Sequence, residues 1–86
     1  MLKGTTKSGF RYEIKDERLN NFKLVEILSE VDENPLLLPK MLNLLLGERQ
    51  SKNLKNYFRD EEGLVSTDKI RETIQDIFEA QKKIKN

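Results

Sequence analysis

Four cations recur at helical spacing in one stretch of this chain: Arg49, Lys52, Lys55 and Arg59. On a helix they fall within about 120° of arc, where a nucleic-acid-binding helix would present a row of phosphate contacts. Gly47 just before them adds to the likeness of a helix-turn-helix. Leu54, Tyr57 and Phe58 occupy the opposite side, however, and a basic stripe opposite an apolar one is also what a solvated surface looks like. Asn43 stands where such motifs carry a small apolar residue. With a net charge of +1, no global field draws in a polyanion, and nucleic acid is not the expected partner.

The acids offer less. Asp60-Glu61-Glu62-Gly63 gathers three carboxylates, but a calcium loop of the EF-hand kind needs oxygen ligands at alternating positions over about twelve residues. Here the acids are consecutive and read as a turn between helices. Nothing marks any two carboxylates as facing each other across a cleft, as paired-carboxylate hydrolysis requires. The chain has no histidine and no cysteine. Imidazole acid/base chemistry, Ser-His and Cys-His nucleophiles, thiolate metal sites and disulfides are therefore closed to it. The expectation is a protein that is not an enzyme, with no catalytic residue, metal or cofactor.

Eighty-six residues, 36% charged and 36% hydrophobic, suit one domain over residues 1–86 with a single small core. Residues 1–9 are small and polar, with no apolar run of the kind a signal peptide carries, and nothing is long enough to span a membrane. Phe10-Arg11-Tyr12-Glu13-Ile14-Lys15 alternates apolar and charged residues, the pattern of a half-buried strand. Lys7-Ser8-Gly9 can turn it back against Lys3–Thr6 as a hairpin.

Four helical segments follow. The first, about Asn20 to Val31, places Leu24, Ile27, Leu28 and Val31 within about 100°, with Asp16 or Asn20 as its cap. Asp32-Glu33-Asn34-Pro35 breaks it. The second runs from Pro39 to Leu46, after a short turn at Pro35–Leu38, with Gly47 just past its end. The third runs from Glu48 to about Arg59. The fourth starts at Ser66 or Thr67 and reaches about Lys82. Its Ile70, Ile74, Ile77, Phe78, Gln81 and Ile84 lie within about 120°. Asp68 near its start and Lys82, Lys83 and Lys85 near its end suit the helix dipole. The fold class is mainly α: a compact bundle of about four helices with a short N-terminal β-strand or hairpin. Its shared core is expected from Leu24, Leu28, Leu42, Leu45, Leu54, Phe58, Ile70, Ile74 and Ile77.

The second helix is the anomaly. Met41, Leu42, Leu44, Leu45 and Leu46 cover roughly 200° of arc, where a surface helix needs about 100°. Leu36, Leu37 and Leu38 extend the apolar surface upstream. The excess either lies at the centre of the core or meets another molecule. The residues expected to face a partner are Leu36, Leu37, Met41 and Leu44, the methionine adding adaptability.

Ser8-Gly9-Phe10-Arg11-Tyr12-Glu13-Ile14, Leu24-Val25-Glu26-Ile27-Leu28, Asn34-Pro35-Leu36 with Leu44-Leu45-Leu46-Gly47-Glu48, and Asp60-Glu61-Glu62-Gly63-Leu64-Val65 together give the chain a family likeness. In this order it resembles small proteins of tailed-phage and prophage structural operons in Gram-positive bacteria, the tail assembly chaperones of long-tailed phages. The likeness spans nearly the whole chain, through turns and core residues rather than a catalytic signature.

It implies a mostly helical protein in the cytoplasm of the bacterial host. Such a protein keeps a helical tape-measure protein soluble while tail-tube subunits polymerise around it, and is often made in a second, frameshifted form. The partners implied are a tape-measure or tail-tube protein, with self-association as a further use of the strip. Two other readings stand beside it: a small helical DNA-binding regulator acting through Glu48–Arg59, and a homo-oligomeric structural component of the virion.

Overall fold

The computed structural model describes the backbone of residues 1–84 and the side chains of residues 1–81. Two strands, β1 (Leu2–Thr5) and β2 (Arg11–Ile14), precede four α-helices among the described residues. These are α1 (Asp16–Leu19), α2 (Phe22–Glu30), α3 (Leu38–Phe58) and α4 (Thr67–Ile84), and a 3-10 turn at Pro35–Leu37 leads into α3. The Cα radius of gyration, 12.5 Å, is close to the about 12 Å of a compact chain of this length. No helix among the described residues is long and apolar enough to cross a membrane.

The strands form an antiparallel hairpin, Leu2 opposite Ile14 and Thr5 opposite Arg11. The loop is a turn closed by Gly9, at φ +95°, whose N–H donates to the Thr6 carbonyl at 2.9 Å. A glycine in this conformation is the bulge residue that lets a three-residue hairpin loop match the strand twist. Period-2 alternation then sends Leu2, Tyr12 and Ile14 into the core and leaves Lys3 and Glu13 outside as a cross-strand ion pair at 3.9 Å. A two-stranded ribbon is marginal alone, so its anchoring matters. The Tyr57 hydroxyl donates to the Ser8 carbonyl at 2.8 Å, and the Tyr57 ring packs against Phe10 with centroids 5.8 Å apart. At the tip, the Lys7 N–H donates to an Asp76 carboxylate oxygen at 3.0 Å, tying the hairpin to α4.

Asn21 caps α2, its Oδ1 accepting from the Lys23 N–H at 3.1 Å. The expected caps Asp16 and Asn20 instead begin and end α1, a one-turn helix that the sequence reading does not anticipate. Asn34 accepts from the Leu36 N–H and starts the 3-10 turn ahead of Pro35. Ser66 Oγ accepts from the Lys69 N–H at 3.3 Å at the head of α4.

The expected second and third helices are the two halves of α3, parted where expected by Gly47, whose backbone is not helical (φ +82°, ψ 162°). A helix that stops at such a break leaves its last carbonyls without intrahelical donors. Side chains supply them here. Ser51 Oγ donates to the Leu42 carbonyl at 3.0 Å, Arg18 reaches the carbonyls of Asn43 and Leu44 at 3.3 and 3.1 Å, and Gln50 Nε2 donates to the Leu46 carbonyl at 3.0 Å. Gln50 also pairs with the backbone of Glu13, accepting from its N–H at 2.9 Å and donating to its carbonyl. It thereby covers part of the free edge of β2.

The core is one cluster reaching from Leu2 to Ile77, with α3 packed against α1, α2, α4, β2 and the 3-10 turn. Every expected core residue belongs to it. Leu28 and Phe58 are half-buried at its margin and the other seven are buried. Ile84, Lys82, Lys83 and Lys85, expected on the stripe and at the C-terminal end of the fourth helix, lie outside the residues whose side chains are described.

Candidate functional site

The leucine-rich segment is the centre of the core. Met41, expected to face a partner, is 1% exposed and belongs inside. The roughly 200° apolar arc is consumed because helices and strand pack on α3 from several directions, so a wide stripe does not require a partner here. Leu37 and Leu44 are half-buried against the same cluster. Leu36 alone of the four is free, at 86% exposed. The partner-facing strip as expected is therefore not a continuous surface.

Met41 does contribute from below. A groove of about 600 Å³ lies open between α2 and α4, with α3 as its floor. Leu38 and Met41 form the floor, Leu28 and Val31 the α2 wall, and Ile74 and Phe78 the α4 wall. Asp32, Arg71, Gln75 and Glu79 line its polar rim.

The apolar surface continues out of this groove along α2. At about 100° per residue, Leu28, Val25 and Phe22 step round the helix by about 60° each and along it by about 4.5 Å. They climb from the groove wall to the outer surface. Phe22 is 73% exposed and Val25 52%. Neither is among the residues expected to face a partner. Adding them to the stripe of Leu24, Ile27, Leu28 and Val31 widens the apolar arc of α2 from about 100° to about 220°. The excess apolar surface thus belongs to α2, with the floor supplied by the leucine-rich helix.

The other chemical candidates sit elsewhere. Arg49, Lys52, Lys55 and Arg59 are exposed. Arg59 is engaged in its own loop, donating to the Gly63 carbonyl at 3.1 Å and to Asn56 at 3.4 Å. The break before this stripe is a single glycine, not the three- or four-residue turn that sets two helices of a helix-turn-helix apart. Asp60 Oδ1 accepts from the N–H groups of Glu62 and Leu64 at 2.8 and 2.9 Å. That carboxylate is the device that folds the loop. No group of three or more acids that could hold a metal ion occurs among the described residues. A second depression of about 1010 Å³, between the hairpin and the second half of α3, is lined by mixed charges including Arg11, Glu13, Arg18, Glu48 and Arg49.

Tyr12 is the group with a displaced pKa. Burial pushes its phenol above the usual 10.0, and the Asp76 carboxylate adds to the shift. It lies under the hairpin, away from the α2–α4 groove, and its role is packing. No protein-family model, no characterised protein and no solved structure matches this chain.

Proposed function

We propose that this chain is a non-enzymatic binding protein whose helices form a small bundle around α3 and hold an amphipathic helix of another protein between α2 and α4. The carrying observation is the groove floored by Leu38 and Met41, continued by the exposed Val25 and Phe22. A helix laid into an apolar groove contributes its own stripe at i, i+3/i+4 and i+7, and the apolar surface it would remove from water here is mainly that of Val25 and Phe22. A tail assembly chaperone, the role implied by the resemblance, needs this kind of surface. Its client is a long helical tape-measure protein that must stay soluble before the tube closes around it, and its compartment is the bacterial host's cytoplasm.

The test is co-expression with a tape-measure-type protein. Wild type is expected to retain the client in the soluble fraction and to co-purify with it. Val25→Asp and Phe22→Asp, which alter side chains already exposed, are expected to release it with the circular dichroism spectrum unchanged. Arg49→Glu is expected to retain it. Retention by both α2 variants, or release by Arg49→Glu alone, would move the binding face away from the groove.

A further inference from the structure

The two edges of the hairpin differ. In an antiparallel ribbon, successive residues turn their N–H and C=O groups alternately toward the paired strand and away from it. The Thr6 N–H donates to the Phe10 carbonyl at 2.9 Å, and Leu2 lies opposite Ile14 and Thr5 opposite Arg11. The inward residues of β1 are therefore Leu2 and Gly4, and Lys3 and Thr5 turn their backbone groups outward. On the β2 side α3 closes the edge: Gln50 takes both backbone groups of Glu13, and Tyr57 reaches the Ser8 carbonyl. On the β1 side the N–H and C=O groups of Lys3 and Thr5 meet no partner among the described residues. Both residues are exposed.

We propose that this edge pairs with the same edge of a second copy of the chain, β1 antiparallel to β1 about a twofold axis at Gly4. Two hairpins then join as one four-stranded sheet, away from the α2–α4 groove and independent of it. The edge is self-complementary in this register. Lys3 falls opposite Thr5 of the second copy and Thr5 opposite its Lys3, so every outward N–H and C=O of both strands is used. Across the outer face each row reads Glu13, Lys3, then Thr5 and Arg11 of the second copy, with no like charges directly opposite. A register centred on Lys3 would set two lysines face to face. One centred on Thr5 would call on Lys7, whose N–H is already given to Asp76. At the axis two glycines meet, in the kind of pair where Cα atoms approach to about 4.5 Å. The Tyr12 ring already fills the place of a side chain on Gly4, its hydroxyl 2.6 Å from where a Cβ would stand. Each ring thus covers its glycine from the core side, an aromatic over a strand glycine. A short strand bearing a lysine is a guarded edge, so the pairing is weak, and it stops at two copies because α3 closes the other edge of each hairpin.

Backbone amide resonances of the full chain, followed from about 20 μM to about 1 mM where a weak dissociation constant shows, test this. The Lys3 and Thr5 amides are expected to shift with concentration and to exchange more slowly with solvent at the upper end. The Glu13 amide, held by Gln50, is expected to stay fixed. Thr5→Pro removes an outward N–H, which an edge strand tolerates, and is expected to abolish the concentration dependence. A cross-link reads the register even where that variant fails to fold, because the chain has no cysteine of its own. Residues paired as Lys3 and Thr5 would be have Cα atoms about 5.5 Å apart, within disulfide reach. Oxidising a mixture of Lys3→Cys and Thr5→Cys single variants is therefore expected to give the mixed dimer in several-fold excess over either homodimer. Lys3 and Thr5 amides unmoved at the highest concentration would overturn the inference. So would a dimer whose shifts fall on Phe22 and Val25 instead, or a statistical distribution of cross-linked species.

Discussion

Replacing Gly47 with alanine should cost the fold about 2–4 kcal/mol. At φ +82° and ψ 162° the residue lies in a region essentially reserved for glycine, and placing an L side chain there costs about 1–3 kcal/mol. A second cost comes from space. A Cβ at position 47 would stand 2.9 Å from an Arg18 guanidinium nitrogen, so Arg18 must move. In moving it gives up the carbonyls of Asn43 and Leu44. A hydrogen bond from a charged group contributes about 1.5–3 kcal/mol when buried; Arg18 is half-exposed, so about 1 kcal/mol for the pair is the appropriate scale. Total stability for 86 residues is about 4–13 kcal/mol, so the loss is a large part of it. The melting temperature should fall by roughly 10–25 °C. Urea denaturation followed by circular dichroism at 222 nm measures the free energy. Arg18→Ala in the Gly47→Ala background separates the two causes, because the clash then vanishes and the backbone strain remains. A loss under about 0.5 kcal/mol for Gly47→Ala, within the range of surface substitutions, would refute the bent geometry of α3.

Met41→Ala should cost about 2–5 kcal/mol as a buried large-to-small change, whereas Leu36→Ser should stay within about 0.5 kcal/mol; equal effects in a denaturation series would contradict the inside–outside assignment. Ile74→Ala should likewise cost about 2–4 kcal/mol, and a surface-like value would show that α4 is not packed on α3. Tyr12 should titrate above 10.0, followed at 295 nm in a Tyr57→Phe background that leaves it the sole phenol. Because the folded state holds this proton more tightly, its contribution is complete below the unfolded pKa of about 10 and is lost as pH rises through the raised value; Tyr12→Phe should remove that alkaline loss.

The elements themselves were readable because their signals are local. Alternation from Phe10 to Lys15 marks β2, Asn34-Pro35 marks the break after α2, and the spacing of Ile70, Ile74 and Ile77 marks the buried face of α4. What could not be read is how many neighbours share a given helix. The wide apolar arc of Met41–Leu46 is compatible with a central or an exposed position, and only the placement of α1, α2, α4 and the hairpin around it decides. Met41, expected on an exposed strip, is buried for that reason. The break at Gly47 is legible as a glycine between two helical stripes. Its stabilisation by Arg18 depends on contacts up to 26 residues apart in sequence, which no local pattern encodes. Phe22 and Val25 carried a legible signal. They widen the apolar arc of α2 beyond what burial needs, but the more conspicuous leucines stand elsewhere.

The central claim is that a helix is bound between α2 and α4, and the methionine methyl groups test it most directly. The chain has two methionines. Met41 floors the groove, while Met1 lines the depression beside the hairpin. With 13C-methyl-methionine labelling, titration of a tape-measure-type helical fragment should shift the Met41 resonance in a saturable way and leave Met1 unmoved. Saturable binding that shifts Met1 and not Met41 would contradict the account.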